Sequence, residues 1–321
     1  MQVLVGFGLQ MLWSLLHSLQ LIIHLPIFIV QYPGYAFIFY IVMAWLVKFD
    51  IVETEDLYVE WFDLDQEGPY ASEYARLLYL GKSWLFNSGF ISVTFVLTVL
   101  FYGVAKLLPL CRDKHPRFKK FSNKLDKDLY WNFVLRLLLE LSLELFIISI
   151  MDVSIGNFST YGYGISFFFA LFSLVAVLGI GLISRLYLRK NYDKLKEQSW
   201  IDRVGSIYQG LNLKSKVNSL FHVEWFLLRR FIYAATAFYA IGNYWVQFQI
   251  MFKCSLFTIW VIGSMRPFDS LYTMRVELVN ECFLLMILYH TTFFTYVIPE
   301  TKVRHKIGLS AVFWTSACIS F

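Results

Sequence analysis

The sequence predicts an all-α protein, a polytopic transmembrane helical bundle. Of its 321 residues, 58% are hydrophobic and 16% are charged, whereas roughly 25% of residues are charged in ordinary soluble domains. Apolar runs near the roughly 20 residues that a membrane-crossing helix needs recur along the whole chain. Because little polar chain separates these runs, the sequence indicates a single transmembrane domain over residues 1–321.

Nine apolar windows define the predicted membrane helices. They cover residues 3–30, 34–48, 83–108, 129–151, 162–186, 223–242, 245–264, 277–298 and 307–321. The second window is short. As a helix with a rise of about 1.5 Å per residue, it would be shorter than the roughly 30 Å thickness of the hydrocarbon core. We therefore expect about nine crossings, or eight if residues 34–48 are re-entrant or lie in the interface.

Two basic connectors predict which loops face the cytosol. Eight Lys and Arg residues lie between Lys106 and Lys127, and eight more, against three acids, lie between Arg185 and Lys216. Cations near helix ends stay on the cytoplasmic side of a membrane. Both connectors are therefore predicted to be cytosolic, with anionic lipid headgroups rather than nucleic acid as their partners.

The same orientation places an acidic segment outside the membrane. Nine acidic residues lie between Lys48 and Lys82. The sequon Asn157-Phe158-Ser159 also falls in an outward turn, which makes Asn157 a candidate for N-glycosylation. With nine crossings the N-terminus is then expected outside and the C-terminus in the cytosol.

The chain thus divides into five predicted regions. These are an entry helix and turn (1–48), an acidic extracellular loop (49–82), helices three to five (83–186), a basic cytosolic connector (187–222) and helices six to nine (223–321). Both termini fall inside apolar runs, which leads us to expect an ectodomain before this domain and a tail after it.

Ionisable side chains inside membrane helices are costly, so they are the first candidates for a functional site. The candidates lie on three predicted helices. They are Glu140 and Glu144 in the fourth window, Arg229 and Arg230 in the sixth, and Glu277, Asn280 and Glu281 at the start of the eighth. The acids four residues apart share one helix face.

Three interpretations of these residues remain open. The acids could neutralise the arginines and hold the helices together. The carboxylate and amide oxygens could instead form a site for calcium or sodium, since hard cations prefer oxygen ligands. In the third interpretation the groups reach the membrane interface. Apart from such a cation and bound lipids, no cofactor is expected.

The first window carries two histidines, His17 and His24, seven residues apart on one helix face. A zinc site would need further ligands at short spacing, and this stretch offers none. We therefore interpret both histidines as a polar seam that packs against neighbouring helices. Pro26 and the Pro33-Gly34 pair then break the helix and turn the chain.

Several stretches resemble a known family. The order LWSLLHSLQLIIHLPIFIVQYPGY, KFDIVETEDLY and YLGKSWLFNSG resembles the multi-pass membrane module at the C-terminus of large ciliate surface proteins. The stretches RVGSIYQGLNLKSKVNSLFHVEWFLLRRFIYA and MRPFDSLYTMRVELVNECFLLMILY are similar to the same module, and more distantly to TRP-like and polycystin-like membrane regions.

This resemblance implies two functions. The first is the membrane-embedded domain of a large cell-surface protein with a TRP-like or polycystin-like helical arrangement, acting as a cation channel. The alternative is a non-conducting anchor or receptor that holds an ectodomain or extracellular filament. Either would sit in the plasma or ciliary membrane and assemble with other subunits. Because the sequence contains no G-x-x-x-x-G-K, H-E-x-x-H or G-x-S-x-G motif, we do not expect an enzyme.

Overall fold

The computed structural model describes residues 14–28, 32–48, 55–64, 74, 83–107, 131–214, 216–295 and 298–320. Within these ranges the regular elements are helices, and the extended pairing is confined to one bridge between Leu211 and Phe268. The prediction of an all-α fold is therefore confirmed. The predicted cytosolic segment 109–128 and most of the acidic segment 49–82 lie outside the described residues.

The helices of the described residues follow the apolar windows. In chain order they are α1 Ser14–Ile27, α2 Gly34–Lys48, α3 Glu55–Phe62, α4 Trp84–Asn87, α5 Gly89–Leu107, α6 Trp131–Glu140, α7 Ser142–Ile155, α8 Tyr161–Ile183, α9 Gln198–Tyr208, α10 Lys216–Tyr239, α11 Tyr244–Met265, α12 Leu271–Thr292 and α13 Thr301–Ser320. A wider helical turn, Ser184–Leu188, continues α8. The fourth window becomes two helices, because the helix is interrupted at Leu141.

Two helices are long and apolar enough to cross a membrane by length and composition: Tyr161–Leu188 and Tyr244–Met265. The described parts of three other windows form shorter apolar helices, Ser14–Ile27, Gly34–Trp45 and Ile91–Leu100. The lengths and compositions of the described helices therefore do not support nine membrane crossings.

Helix α8 presents a large apolar face to its surroundings. Phe168 and Val175 are 65% and 70% exposed, and Phe172 and Leu182 project from the same helix. Only 28% of its most apolar window is buried. A helix in the core of a soluble protein is mostly buried, and α8 differs from such a helix because the described residues leave this apolar face uncovered.

The contacts of α1 set the directions of the helices. His17 lies against Glu140 and His24 against Glu144, so α1 runs parallel to α6 and α7. The His17 ring lies 4.9 Å from the Phe226 ring and Tyr233 bonds the main-chain oxygen of Leu21, so α10 runs the same way. Helices α8, α11 and α13 run in the opposite direction, because short turns join each of them to its predecessor.

Helix α2 runs parallel to α13. The Tyr35 ring lies 5.5 Å from the His305 ring, and the Tyr40 hydroxyl lies 3.2 Å from the Thr315 hydroxyl. At Gly308 an added Cβ would lie 2.7 Å from a ring carbon of Pro33, so glycine permits this close packing. Helix α2 therefore starts at the end of the bundle where α1 finishes.

The connectors gather at two opposite ends of the bundle. At the first, which we call the connector end, α9 packs on α6 and Asn212 donates its main-chain N–H to the oxygen of Pro267 at 2.7 Å. At the other end, which we call the loop end, Thr160 donates to the main-chain oxygen of Asp63 at 3.1 Å. There Tyr74 also bonds the oxygen of Ile23 at 2.5 Å.

Two glycines allow the loop end to form. Gly156 ends α7 with a φ of 57°, a left-handed conformation that glycine adopts without steric cost. Gly162 lies so close to α3 that an added Cβ would be 1.9 Å from the main-chain oxygen of Phe62. Helix α3 can therefore dock on α8 only because this position has no side chain.

Candidate functional site

A polar cavity of about 260 Å³ lies between α1, α6, α10, α11 and α12, towards the connector end. Residues of α9 and of the α11–α12 turn, among them Ser206, Gln209 and Phe268, cover it. Six of the side chains that the sequence singled out line this cavity: His17, Glu140, Arg229, Arg230, Glu277 and Glu281. Packing thus brings together candidates from four separate helices.

Arg229 and Glu281 form a buried ion pair across α10 and α12. The two guanidinium nitrogens donate to the two carboxylate oxygens at 2.5 and 2.9 Å. A third bond joins Arg229 to the hydroxyl of Ser255 on α11 at 3.1 Å. Because the two side chains are only 9% and 5% exposed, each charge depends on the other for its stabilisation.

Arg230 is held by neutral oxygens at the interruption between α6 and α7. It is 1% exposed and donates to the hydroxyl of Ser142 at 2.8 Å and to the amide oxygen of Gln20 at 2.9 Å. It also reaches the main-chain oxygens of Leu139 and Glu140 at 3.2 and 3.5 Å. The guanidinium therefore ties α1, the α6–α7 junction and α10 together.

Glu140 lies at the cavity mouth between a histidine and an arginine. Its Oε2 is 2.7 Å from Nε2 of His17, and its Oε1 is 4.0 Å from Nε of Arg136. Arg136 also donates to the side chain of Gln209 at 3.4 Å. This contact links the charged wall of the cavity to α9.

His24 and Glu144 repeat this arrangement deeper between α1 and α7. The Nε2 of His24 lies 3.2 Å from the Glu144 carboxylate, and its Nδ1 lies 2.6 Å from the main-chain oxygen of Gln20. These two residues do not line the cavity. Both predicted seam histidines thus face the helix that carries Glu140 and Glu144.

Helix α12 adds a second acid to the cavity wall. Glu277 lines the cavity and hydrogen-bonds Ser14 of α1. Asn280 stands behind it, buried, and donates to the same Ser14 hydroxyl at 2.9 Å. The start of α1 is therefore fixed to α12 through one serine.

If the acids neutralise the arginines, Glu140 or Glu144 should approach Arg229 or Arg230, and α6 and α10 do meet at this point. Arg230 reaches the main chain of Glu140, while the carboxylate partner of Arg229 is Glu281. Asn157 lies far from the cavity in the α7–α8 turn, where its side chain accepts the Ser159 main-chain N–H at 3.0 Å.

Sequence reasoning missed Asp152, which is 4% exposed near the end of α7. Its carboxylate accepts the main-chain N–H of Trp84 at 2.6 Å and the hydroxyl of Ser166 on α8. The sequence does contain a signal for Asp152. It lies eight residues after Glu144, so it falls on the helix face that carries Glu140 and Glu144. It was overlooked because it follows the fourth window, where a charge usually marks the interface.

The charges that line the cavity balance. Three arginines, Arg136, Arg229 and Arg230, face three acids, Glu140, Glu277 and Glu281. In the described part of the chain, no group of three His, Cys, Asp or Glu residues is placed to hold a metal ion. The contact between Arg229 and Glu281 is of the kind that the charge-pairing interpretation predicts.

Comparison of this chain with protein-family models, with curated proteins and with solved structures finds no match. The protein is therefore described by its own fold and cavity. It is an all-helical bundle with an outward apolar helix, α8, and a charge-balanced internal cavity.

Proposed function

We propose that this chain is a multi-pass membrane module whose helices enclose a charge-paired polar cavity. The observation that carries the proposal is the separation of the two kinds of surface. Helix α8 exposes Phe168 and Val175, while Arg229, Arg230 and Glu281 are buried inside the bundle. Lipid would cover the first surface, and internal partners satisfy the second.

Eight crossings fit the contacts better than nine. Helix α2 begins beside Pro33 at the loop end, and α3 returns to that end to pack against Gly162. The chain between them therefore enters and leaves on one side, as a re-entrant segment does. In this topology the start of α1 lies on the cytosolic side with α9, whereas nine crossings would place it outside.

Cysteine labelling of intact cells distinguishes the two topologies. In a cysteine-free background, an impermeant external reagent should modify Asp65→Cys but neither Lys119→Cys nor Gln2→Cys. Labelling of Gln2→Cys would favour nine crossings with an outside N-terminus. If external reagent modified Lys119→Cys and left Asp65→Cys untouched, the proposed orientation would be wrong.

The function supported best is that of the membrane-embedded domain of a cell-surface assembly, working as an anchor or receptor. The internal charges support this choice. Both oxygens of Glu281 are bonded to Arg229, and four neutral oxygens surround Arg230. Because these charged groups already bond to each other and to neutral oxygens, they hold the helices together rather than line a path for ions.

Cation conduction by a TRP-like or polycystin-like arrangement is the second candidate. It is favoured by the cavity, because Glu140 and Glu277 present carboxylates to a polar space among α1, α6 and α12. Purified chain in a planar bilayer tests it. A cation current that Glu140→Gln and Glu277→Gln reduce would establish conduction, and silence under voltage, calcium and tension would leave the anchor function.

A further inference from the structure

His24 is buried between α1 and α7 with both ring nitrogens close to oxygen atoms. The side chain is 2% exposed. Its Nδ1 lies 2.6 Å from the main-chain oxygen of Gln20, one helical turn earlier. Its Nε2 lies 3.2 Å from the carboxylate of Glu144.

These distances constrain which hydrogens the two groups can carry. A main-chain oxygen can only accept a hydrogen bond, so Nδ1 of His24 must carry a hydrogen. A neutral imidazole has one N–H, which leaves its Nε2 bare. An ionised carboxylate is also an acceptor only. Two acceptors at hydrogen-bond distance in a buried place repel each other unless one further proton lies between them.

His17 needs no such proton. Its Nε2 lies 2.7 Å from Glu140, and a neutral ring can carry its single hydrogen on that nitrogen. The carboxylate of Glu140 then accepts an ordinary charge-assisted hydrogen bond. The two histidine contacts on α1 therefore differ in proton content, although they look alike in the sequence.

We propose that His24 and Glu144 form a buried proton-binding site whose ligand is a single proton. With the proton bound, the pair is either imidazolium with carboxylate or neutral imidazole with carboxylic acid, and its net charge is zero. Loss of the proton leaves a neutral ring facing a carboxylate, with a net charge of minus one. This inference goes beyond the proposed function and does not depend on the number of membrane crossings.

Titratable and charged groups lie on α1 and on the elements that pack against it. They are His17 on α1, Tyr40 on α2, Tyr74, Glu140 on α6, and Arg230 and Tyr233 on α10. The hydroxyl groups of Tyr74 and Tyr233 donate to main-chain oxygens of α1 and α2, and the hydroxyl of Tyr40 lies 3.2 Å from that of Thr315. The fixed charges are the guanidinium of Arg230 and the carboxylate of Glu140, which have opposite signs.

The pair lies on the same face of α1 as the cavity. His17 lines the cavity, and His24 lies two turns further along α1, a rise of roughly 10 Å. Between them the Gln20 side chain bonds both Arg230 and the main-chain oxygen of Glu140.

His290 provides a matched control within the same chain. Its Nδ1 lies 2.6 Å from the main-chain oxygen of Met286, the same contact one turn back that His24 makes. Its Nε2, however, lies 3.0 Å from the hydroxyl of Ser310. A hydroxyl can donate, so a neutral His290 satisfies both contacts without an additional proton.

Spectroscopy of the purified full chain at about pH 7 tests the proposal, in the range where histidines titrate. Nitrogen NMR of labelled histidines reports whether both ring nitrogens of His24 carry hydrogen, and infrared difference spectra report a protonated carboxyl. We expect one of these two signatures from the pair.

Glu144→Gln supplies the decisive variant. The amide of Gln can donate to the bare Nε2, so the contact persists without the extra proton, and the signature should disappear. His290→Gln should leave it unchanged. If wild-type His24 carries one hydrogen while Glu144 is ionised, the proposal is wrong. This outcome is measured on the wild-type protein alone, so the proposal can be tested even if Glu144→Gln fails to fold.

Discussion

The buried ion pair between Arg229 and Glu281 allows a quantitative test of what holds the bundle together. Its two bonds, at 2.5 and 2.9 Å, join side chains that are 9% and 5% exposed. Removing one partner leaves the other charge buried, which typically costs about 3 to 5 kcal/mol. We therefore expect Arg229→Met and Glu281→Met each to destabilise the bundle by about 3 kcal/mol or more, roughly a 150-fold change in the unfolding constant.

The double variant should behave differently, because it removes both charges and leaves apolar side chains of similar size. Replacing a buried pair in this way is often nearly neutral, so we expect a loss of about 1 kcal/mol or less. Two single losses of about 3 kcal/mol against a double loss of about 1 kcal/mol give a coupling energy of about 5 kcal/mol.

Reversible unfolding in mixed micelles with rising SDS content measures these free energies. Arg185→Met serves as the control, since Arg185 is 65% exposed and lies 3.9 Å from Glu224. A contact of this length to an exposed arginine contributes about 1 kcal/mol or less. If the double variant loses as much as the two single variants combined, the coupling is absent and the pair does not stabilise the bundle.

Three other buried contacts give expected outcomes. Arg230→Met should cost about 3 kcal/mol in the same SDS titration, because four oxygens lose their donor; a loss below about 1 kcal/mol contradicts this reasoning. Gly162→Ala should lower the melting midpoint, since its Cβ would lie 1.9 Å from the Phe62 oxygen, whereas Gly164→Ala has open space and should not. Burial raises the pKa of Tyr208, on α9 outside the predicted membrane windows, from 10.0 to about 12. Neutral Tyr208 is favoured in the folded state, so its stabilisation is complete below about pH 10 and is lost as pH rises through about 12; phenolate absorbance near pH 10 that Tyr208→Phe abolishes would refute this.

The sequence predicted the helices well because hydropathy is a local property. Each apolar window contains one or two helices in its described part, including the short window at residues 34–48, whereas α3 and α9 lie outside the windows. The break at Leu141 was not predictable in the same way. It lies in the middle of an apolar run, and its stabilising partner, Arg230, comes from a helix 90 residues further along the chain.

The candidate site was predictable as a set of residues but not as a set of contacts. Six of the singled-out side chains line one cavity, because charge inside an apolar window signals a buried partner wherever the helix packs. The choice of Glu281 rather than Glu140 for Arg229 depends on how α10 and α12 are rotated against each other. That rotation follows from packing between helices, which no single window encodes.

The sequence by itself determined the helical fold class, the helices within the apolar windows and the faces that carry charge, since residues three or four apart share a helix face whatever surrounds them. Only the tertiary structure decided the direction of α2, the closure of the cavity by α9 and the pairing of His24 with Glu144. Each of these depends on contacts between residues far apart in the chain, where side-chain volume and hydrogen-bond geometry select one arrangement among those that hydropathy allows.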